Sequence, residues 1–364
     1  MLWSSLLSEQ QLTPASVRVF SSPGSWIESD ARDQCDRVAR LDGMRHVAGM
    51  PDLHPGKGAP IGAAMLSETL YPFLVGSDIG CGIAVFPVKI KRPNAERLAA
   101  RFPDLDRALD ADDEEWPDEI PAGFTDSLGT VGRGNHFVEL ARVDDVMQAA
   151  VVSKGDFVLI VHSGSRGLGE SILRAHTEVH GAGPAADPAA YLKAHDEAVR
   201  WGSLNRRLMA RRVGNALGVQ VGGAIVDECH NFVEIRDGLY LHRKGAANGD
   251  GRTVLIAGTR GTPSYLVAGH AGAAANFSVA HGAGRKMSRA DALRRGKAKH
   301  TVAELRRTGV GSLVVCGDRQ LLFEEAPTAY KRIESVIADL VAHELATPLA
   351  VTVPVVTYKT KERG

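Results

Sequence analysis

The run FVLIVHSGSRG, from Phe157 to Gly167, is apolar for five residues and then turns at once into glycine and serine. A short segment rich in β-branched side chains and closed by glycine reads as a buried strand emptying into a loop. TVLIAGTRGT repeats the form, and many of the 39 glycines fall in such loops: HPGKGAPIG, GSDIGCG, LGTVGRGNH and HGAGR. DGLYLHRKGAANGDGRTVLIAG predicts a hairpin, with its turn residues between two strands. DPAAYLKAHDEAVRWGSLNRRLMARRVGNAL and APTAYKRIESVIADLVAHEL predict helices, and Ser288 followed by Asp291 marks the start of a basic helix. Strands and helices do not alternate as regular βαβ units, which predicts an α+β fold with mixed β-sheets flanked by helices. We expect one domain over 1–364, with the acidic stretch 103–122 as a surface insertion.

The formal charge is zero, which argues against a general nucleic-acid binder, but the charge is unevenly placed. DLDRALDADDEEWPDE, from Asp104 to Glu119, is strongly acidic, whereas Arg285 to Lys299 is almost wholly basic. A neutral total therefore leaves room for a local positive surface that holds phosphates. Aromatic residues make up 5%, too few for a module that binds RNA mainly by stacking. Cys35, Cys81, Cys229 and Cys316 are scattered without CxxC pairs, as in a reducing cytoplasm. Apolar runs are strand-length, and MLWSSLLSEQQ has no basic start or long apolar stretch, so neither a membrane span nor a signal peptide is expected.

HPGKGAPIG places Gly58 after Lys57 where a P-loop demands Ser or Thr, so any nucleoside triphosphate binds in another way. The metal signal is distributed. Asp78 lies three residues before Cys81, and single histidines stand at strand–loop junctions: His136, His162 and His230. Thiolate, imidazole and carboxylate together suit a borderline divalent ion such as manganese or zinc. Cys229 beside His230 reads either way, Cys316 reads as core, and His54 and His270 have loop context without an evident partner. His281, in SVAHGAGRKMSR, sits among residues with almost no side chain and is followed by Arg285, Lys286 and Arg289.

In order along the chain, MPDLHPGKGAPIG, VGSDIGCG, LGTVGRGNHFVE, VHSGSRGLG, HNF, HRKGA, SYLV, HGAGRKMSR and EAPTAYK resemble the RtcB family of RNA ligases, from Met50 to Lys331. The resemblance implies a GTP- and manganese-dependent enzyme. It would join RNA 3′-phosphate or 2′,3′-cyclic phosphate ends to 5′-hydroxyl ends, in RNA repair or tRNA splicing, through a covalent histidine–GMP intermediate. His281 matches the guanylylated histidine. Asp78, Cys81, His136, His162 and His230 match the ligands of two Mn²⁺ ions, with Cys81 bridging. Asn135, Phe137, Glu139, Asn231, Thr259, Ser264 and Tyr330 match positions around the guanosine nucleotide. Lys359, five residues after Pro354, fits the family's guanine contact, with Lys361 as competitor.

Gly282, Ala283 and Gly284 would leave room for GTP and offer backbone N–H groups to its phosphates. Arg133, Arg166, Arg285 and Arg289 would hold RNA phosphates. The segment between Cys81 and His136 is shorter than is typical of the family, Thr259 stands where serine is usual, and Arg133 where a small residue is common. A metal-dependent phosphodiesterase or nuclease is the alternative reading, since the same ligands could activate water.

Overall fold

The computed structural model describes residues 15–91, 93–112, 117, 120 and 123–361. It is an α+β fold in which two large sheets and one small one share their cores. The five-stranded sheet has the spatial order Ser16–Val19, Met44–His54, Ile61–Ser67, Leu239–Lys244 and Asn231–Arg236. The larger sheet runs Asp250–Ile256, Ser264–His270, Ala346–Thr360, Phe137–Val146, Phe157–Ser163, Gly82–Val88 and Val226–Cys229, with Leu313–Cys316 added in parallel to Ala346–Thr360. Every residue of Phe157–Ser163 is buried, as its unbroken apolar run demands. One core joins Ala48 and Met50 of the first sheet to Val254, Ile256 and Val267 of the second.

The segment expected to form a hairpin does not pair with itself. Leu239–Lys244 bonds to Ile61–Ser67 on one side and Asn231–Arg236 on the other, so neither edge is free for Asp250–Ile256. Instead the chain crosses from one large sheet to the other, and Ala246–Asn248 pairs with Ser278–Ala280 on the way. The predicted helix over 326–345 is shorter than expected. Pro327–Ala329 is a single 3₁₀ turn, Tyr330 bridges to Arg285, and the α-helix covers Ile333–Ala342.

The long helix Pro188–Leu217 matches its sequence signals: the Asp187 side chain accepts from Ala190 N–H, and Gly218 ends it at φ +68°. Arg289–Lys299 begins where expected, with Ser288 accepting from Asp291 N–H. No helix among the described residues is long and apolar enough to cross a membrane. Of the acidic stretch 103–122, residues 113–116, 118, 119, 121 and 122 lie outside the described residues. Its first part is half-buried or exposed except at Leu105 and Leu109, which anchor it in two different cores. Asp106 also accepts from Thr360 Oγ1 at 2.9 Å, tying this stretch to the last strand.

Candidate active site

Three loops at strand ends of the larger sheet, together with His162 inside the strand Phe157–Ser163, bring the predicted metal donors together. Cys81 Sγ lies 3.3 Å from both His136 Nε2 and His162 Nε2, and His162 Nε2 lies 3.3 Å from His230 Nε2. Asp78 Oδ2 is 2.9 Å from His136 Nε2. The donors form two groups sharing Cys81, one with His162 and His230 and one with Asp78 and His136; within each, the ligand atoms lie within 4.8 Å of one another. His136 Nδ1 is 3.1 Å from the Val131 carbonyl, the kind of contact that fixes a ring so that its other nitrogen faces a cation.

Electrostatics favour a cation here. Burial, and then neighbouring His230 and His281 respectively, hold His162 and His230 well below the usual histidine range, so their nitrogens keep lone pairs. Burial and the adjacent Asp78 carboxylate push the Cys81 thiol well above its ordinary value. Burial also opposes ionisation of Asp78, but His136 and the Cys81 thiol hold it below the carboxylate norm. A bound cation would displace the protons shared across these 3.3 Å contacts and be met by sulfur, nitrogen and carboxylate lone pairs. By this test, thiolate, imidazole and carboxylate donors fit a pair of borderline divalent ions.

The backbone behind the cluster is held by one residue that sequence reading did not single out. Arg206 is fully buried and donates from Nη1 to the Gly80 and Ser163 carbonyls, at 2.9 and 2.8 Å, while Nε pairs with Asp227 at 2.7 Å. Those carbonyls adjoin Cys81 and His162. Cys229 lies 3.7 Å from Arg206 Nη2, on this supporting side and not among the donors. Gly164 must be glycine, since a Cβ there would lie 2.2 Å from Asp78 Oδ1. Cys316 is buried, as expected of core; His54 is buried with Nδ1 on the Asp52 carbonyl, and His270 contacts Thr347 at the surface.

The His281 ring stacks obliquely near His230, with centroids 4.7 Å apart, and keeps 11% of its side-chain surface exposed. Its partner was missed by sequence reading. Asp52, completely buried in Met44–His54, places Oδ2 2.7 Å from His281 Nδ1, off the line of a straight hydrogen bond, so the contact is electrostatic. The same oxygen accepts from the N–H groups of His281 and Gly282, at 3.2 and 3.3 Å. The only sequence signal was the acid two residues before His54 in MPDLHPG.

This arrangement takes up two of the three backbone donors expected to meet a phosphate. Gly282 N–H points to Asp52 and Ala283 N–H to the Ala257 carbonyl at 2.9 Å, so neither is free for a phosphate. The helix Arg289–Lys299 also starts too late for its N-terminus to lie in this loop. Bulk is absent for another reason. Gly284 has φ +69°, and a Cβ there would stand 2.3 Å from the Asp52 carbonyl, so the loop presses directly onto the strand that carries the carboxylate.

A cavity of about 1140 Å³ opens onto His281, His230, His162 and Cys81. Asn135, Phe137, Glu139, Asn231, Thr259, Ser264, Tyr330 and Lys359 all line it, together with Gly282, Ala283 and Gly284. Phe137 sets its ring 5.5 Å from His162, edge to face. Asn231 donates to the Asp78 carbonyl and accepts from Gly245 N–H, which fixes its amide. Ser264 Oγ accepts from Gly258 N–H, and Thr259 Oγ1 contacts Thr262.

Glu139 accepts from Thr357 Oγ1 at 2.6 Å, and burial pushes its carboxyl up to about 8. Lys359 donates to the Gly134 carbonyl at 2.7 Å, and burial brings its ammonium down to about 8. Lys361 lies outside this cavity, exposed, with its ammonium on the Phe102 carbonyl. Glu325 gathers Tyr330, Arg285 and Lys359: the Tyr330 hydroxyl donates to it, Arg285 Nη1 pairs at 2.9 Å, and Lys359 Nζ lies 3.9 Å away.

The cations expected to hold RNA separate in space. Arg285 lines the cavity but is engaged by Glu325 and the Glu324 carbonyl. Arg289 is exposed and also lines the cavity. Arg133 lies outside it, paired with Asp318 at 3.3 Å. Arg166, held at φ +57°, donates to Thr130 Oγ1 at 3.2 Å and faces the Gly132 turn outside the cavity.

A family model described as tRNA-splicing ligase RtcB matches residues 34–111, 104–187 and 183–360. The chain is 44% identical to an RNA-splicing ligase RtcB2 of Escherichia coli strain ATCC 25922, covering 96% of this chain and 97% of that one. It is 30% identical to the RNA-splicing ligase RtcB of Mycobacterium tuberculosis H37Rv over 88% of this chain and 98% of that one. With the tRNA-splicing ligase RtcB of Nanoarchaeum equitans the identity is 25%, over 90% and 91% of the two chains.

Proposed function

The chain belongs to the RtcB family of RNA ligases, and on that premise we propose that it joins RNA 3′-phosphate ends to 5′-hydroxyl ends by way of a guanylate carried on His281. The observation that carries this reading is the Asp52–His281 contact of 2.7 Å beside the metal-type donors. A phosphodiesterase would use the same pair only as a general base for water, and would take no covalent label from GTP.

Asp52 holds the Nδ1 side of the ring, which leaves the Nε2 lone pair as the nucleophile. Nε2 attacks the α-phosphorus of GTP; an N–P bond forms, the bond to the bridging oxygen breaks, and pyrophosphate leaves. The growing positive charge on the ring is met by the buried Asp52 carboxylate. An oxygen of the RNA 3′-phosphate then attacks the same phosphorus and the P–N bond breaks, which restores His281 and gives an activated RNA end. A 2′,3′-cyclic phosphate is opened by water to the 3′-phosphate before this step. Finally the 5′-hydroxyl oxygen attacks the RNA phosphorus, loses its proton to solvent, and GMP departs.

Asp78 and His136 on one side of Cys81, and His162 and His230 on the other, would hold two Mn²⁺ ions, which when bound neutralise phosphate charge and orient in-line displacement. Glu139 and Lys359 supply a hydrogen-bonding carboxyl and a cation for the guanine edge, and Phe137 an apolar face. Arg289 stands exposed at the cavity mouth to meet RNA phosphate, Arg133 lies outside the cavity, and Arg166 is half-buried near Asp78, whose ionised form it favours. The test is incubation with α-labelled GTP and ligation of 3′-phosphate and 5′-hydroxyl RNAs, with GTP and Mn²⁺ omitted in turn. Covalent label that disappears in His281→Ala, and ligation that needs both additions, are expected. Label unaffected by His281→Ala overturns the reading.

A further inference from the structure

A second depression, of about 1530 Å³, lies on the other side of the wall that encloses the active-site cavity. The same segments line both sides: Gly134 faces the outer groove and Asn135 the cavity, Glu324 and Glu325 divide likewise, and so do Lys361 and Lys359. Arg289 belongs to both and marks the place where they meet. The groove runs from there between the helix Arg289–Lys299 and the short helix Arg319–Glu324.

Its charge is one-sided. Arg133, Arg289, Lys297, Arg306, Arg319 and Lys361 line it, against the carboxylates of Asp318 and Glu324. Asp318 pairs with Arg133 and also accepts from the N–H groups of Gln320 and Leu321, while Glu324 accepts from the neutral Gln320 amide and keeps its charge, so the six cations still outweigh the two acids. Arg306 and Lys361 direct donors at the carbonyls of Cys316 and Phe102, which neutralise no charge. Arg289, Lys297 and Arg319 are exposed and have no ion pair among the described residues. A groove so charged, in a chain of zero net charge, attracts a polyanion. Of the rings lining it, Phe323 is buried and His300 is half-buried with Nε2 3.3 Å from Thr328 Oγ1, so the groove offers cations for a backbone in place of a stacking platform for bases.

Resting on the ligase reading of the neighbouring cavity, we infer that this groove is an extended track for the phosphodiester backbone of one of the two RNA strands, entering the active site past Arg289. The contacts are to phosphates and independent of base sequence. Lys297 and Arg319 each meet one phosphate.

The test pairs wild type with Lys297→Ala/Arg319→Ala, and with Arg319→Gln alone as a milder variant should the double one prove unstable. Substrate strands of either end type are made about 4 or about 12 nucleotides long, and both ligation KM and direct RNA binding by fluorescence anisotropy are measured against salt. Each single-strand phosphate contact contributes about 0.7 to the slope of log affinity on log salt, or about fivefold at 0.1 M relative to 1 M. Wild type is expected to prefer the longer form of one strand by tenfold or more. The double variant should lose that preference and about 1.4 of salt slope, while covalent labelling by GTP, which uses no RNA, is unchanged. Unaltered length preference and salt slope in the variants overturn the groove. A wild-type protein that takes no label from GTP refutes the ligase chemistry instead, and anisotropy still decides the groove.

Discussion

Replacing Asp52 by asparagine keeps the shape of a fully buried side chain and removes one charge 2.7 Å from the ring that would become positive in the proposed transfer. Two unit charges at that separation interact by about 6 kcal/mol at an effective dielectric of about 20. The charge that develops on His281 in the transition state is partial and spread over the imidazole, so about half, roughly 3 kcal/mol, is the expected loss of transition-state stabilisation. That is about a hundredfold in rate. The amide adds to this by presenting either N–H or C=O to Nδ1, which disturbs the tautomer that frees Nε2. The assay is single-turnover transfer of label from α-labelled GTP to the protein, quenched in acid-free denaturant and counted over time. Denaturant unfolding of the same preparation shows whether the fold is intact. Asp52→Asn should label about 100-fold more slowly, or worse, with the Mn²⁺ requirement unchanged. A variant that is folded and labels within threefold of wild type refutes the role given to Asp52.

Cys81→Ser removes the donor common to both metal-type groups. Loss of an outer partner alone weakens metal binding about 10–100-fold, so a larger loss of Mn²⁺ affinity is expected by equilibrium dialysis with elemental analysis. Glu139→Gln tests a pH dependence. The folded carboxyl titrates at about 8 against an ordinary 4.5, so its contribution to stability is complete below the ordinary value and lost as pH rises through about 8. The variant should therefore match wild type at low pH and become relatively more stable between pH 5 and 8.5, while binding GTP less tightly; denaturant midpoints across pH that stay parallel would contradict this. Gly284→Ala forces φ +69° on a residue with a Cβ, placed 2.3 Å from the Asp52 carbonyl. A loss of about 2 kcal/mol or more in unfolding free energy is expected, with slower labelling by GTP, and a variant as stable as wild type counts against the close packing described.

What could be read from the sequence divides along a physical line. Strand interiors were legible because burial on both faces imposes unbroken runs such as Phe157–Ser163, and helix starts because caps such as Asp187 and Ser288 have local chemistry. Partner choice was not legible. Nothing local to Leu239–Lys244 says that both its edges are taken by strands from other parts of the chain. The short helix Ile333–Ala342 shows the same limit, since Tyr330 leaves helical geometry to bridge with Arg285 across the active-site wall. Among site residues, the metal donors could be suspected from residue type, but their convergence rested on resemblance. Asp52 was passed over because an acid inside a strand, even one two residues before a histidine, does not say which ring it will face until the fold brings them together.

The same limit explains where the site lies. Asp52 comes from the five-stranded sheet, while Cys81 immediately precedes a strand of the larger sheet and His162 lies within one. His230 stands between Val226–Cys229 and Asn231–Arg236, where the chain leaves the larger sheet for the smaller. His281 follows Ser278–Ala280, which pairs with the segment Ala246–Asn248 that carries the chain back. His230 therefore sits at a crossing between sheets, and His281 follows a strand that pairs with the next such crossing. A strand-to-strand crossing is costly to leave unsatisfied, and here Asn231 pays that debt by accepting from Gly245 N–H while donating to the Asp78 carbonyl. One amide thus ties both crossings to the metal loop. Asp78 and Gly245 are thereby held to Asn231, next to His230, and on the proposed chemistry this would help keep the attacking nitrogen in register with the phosphate it meets.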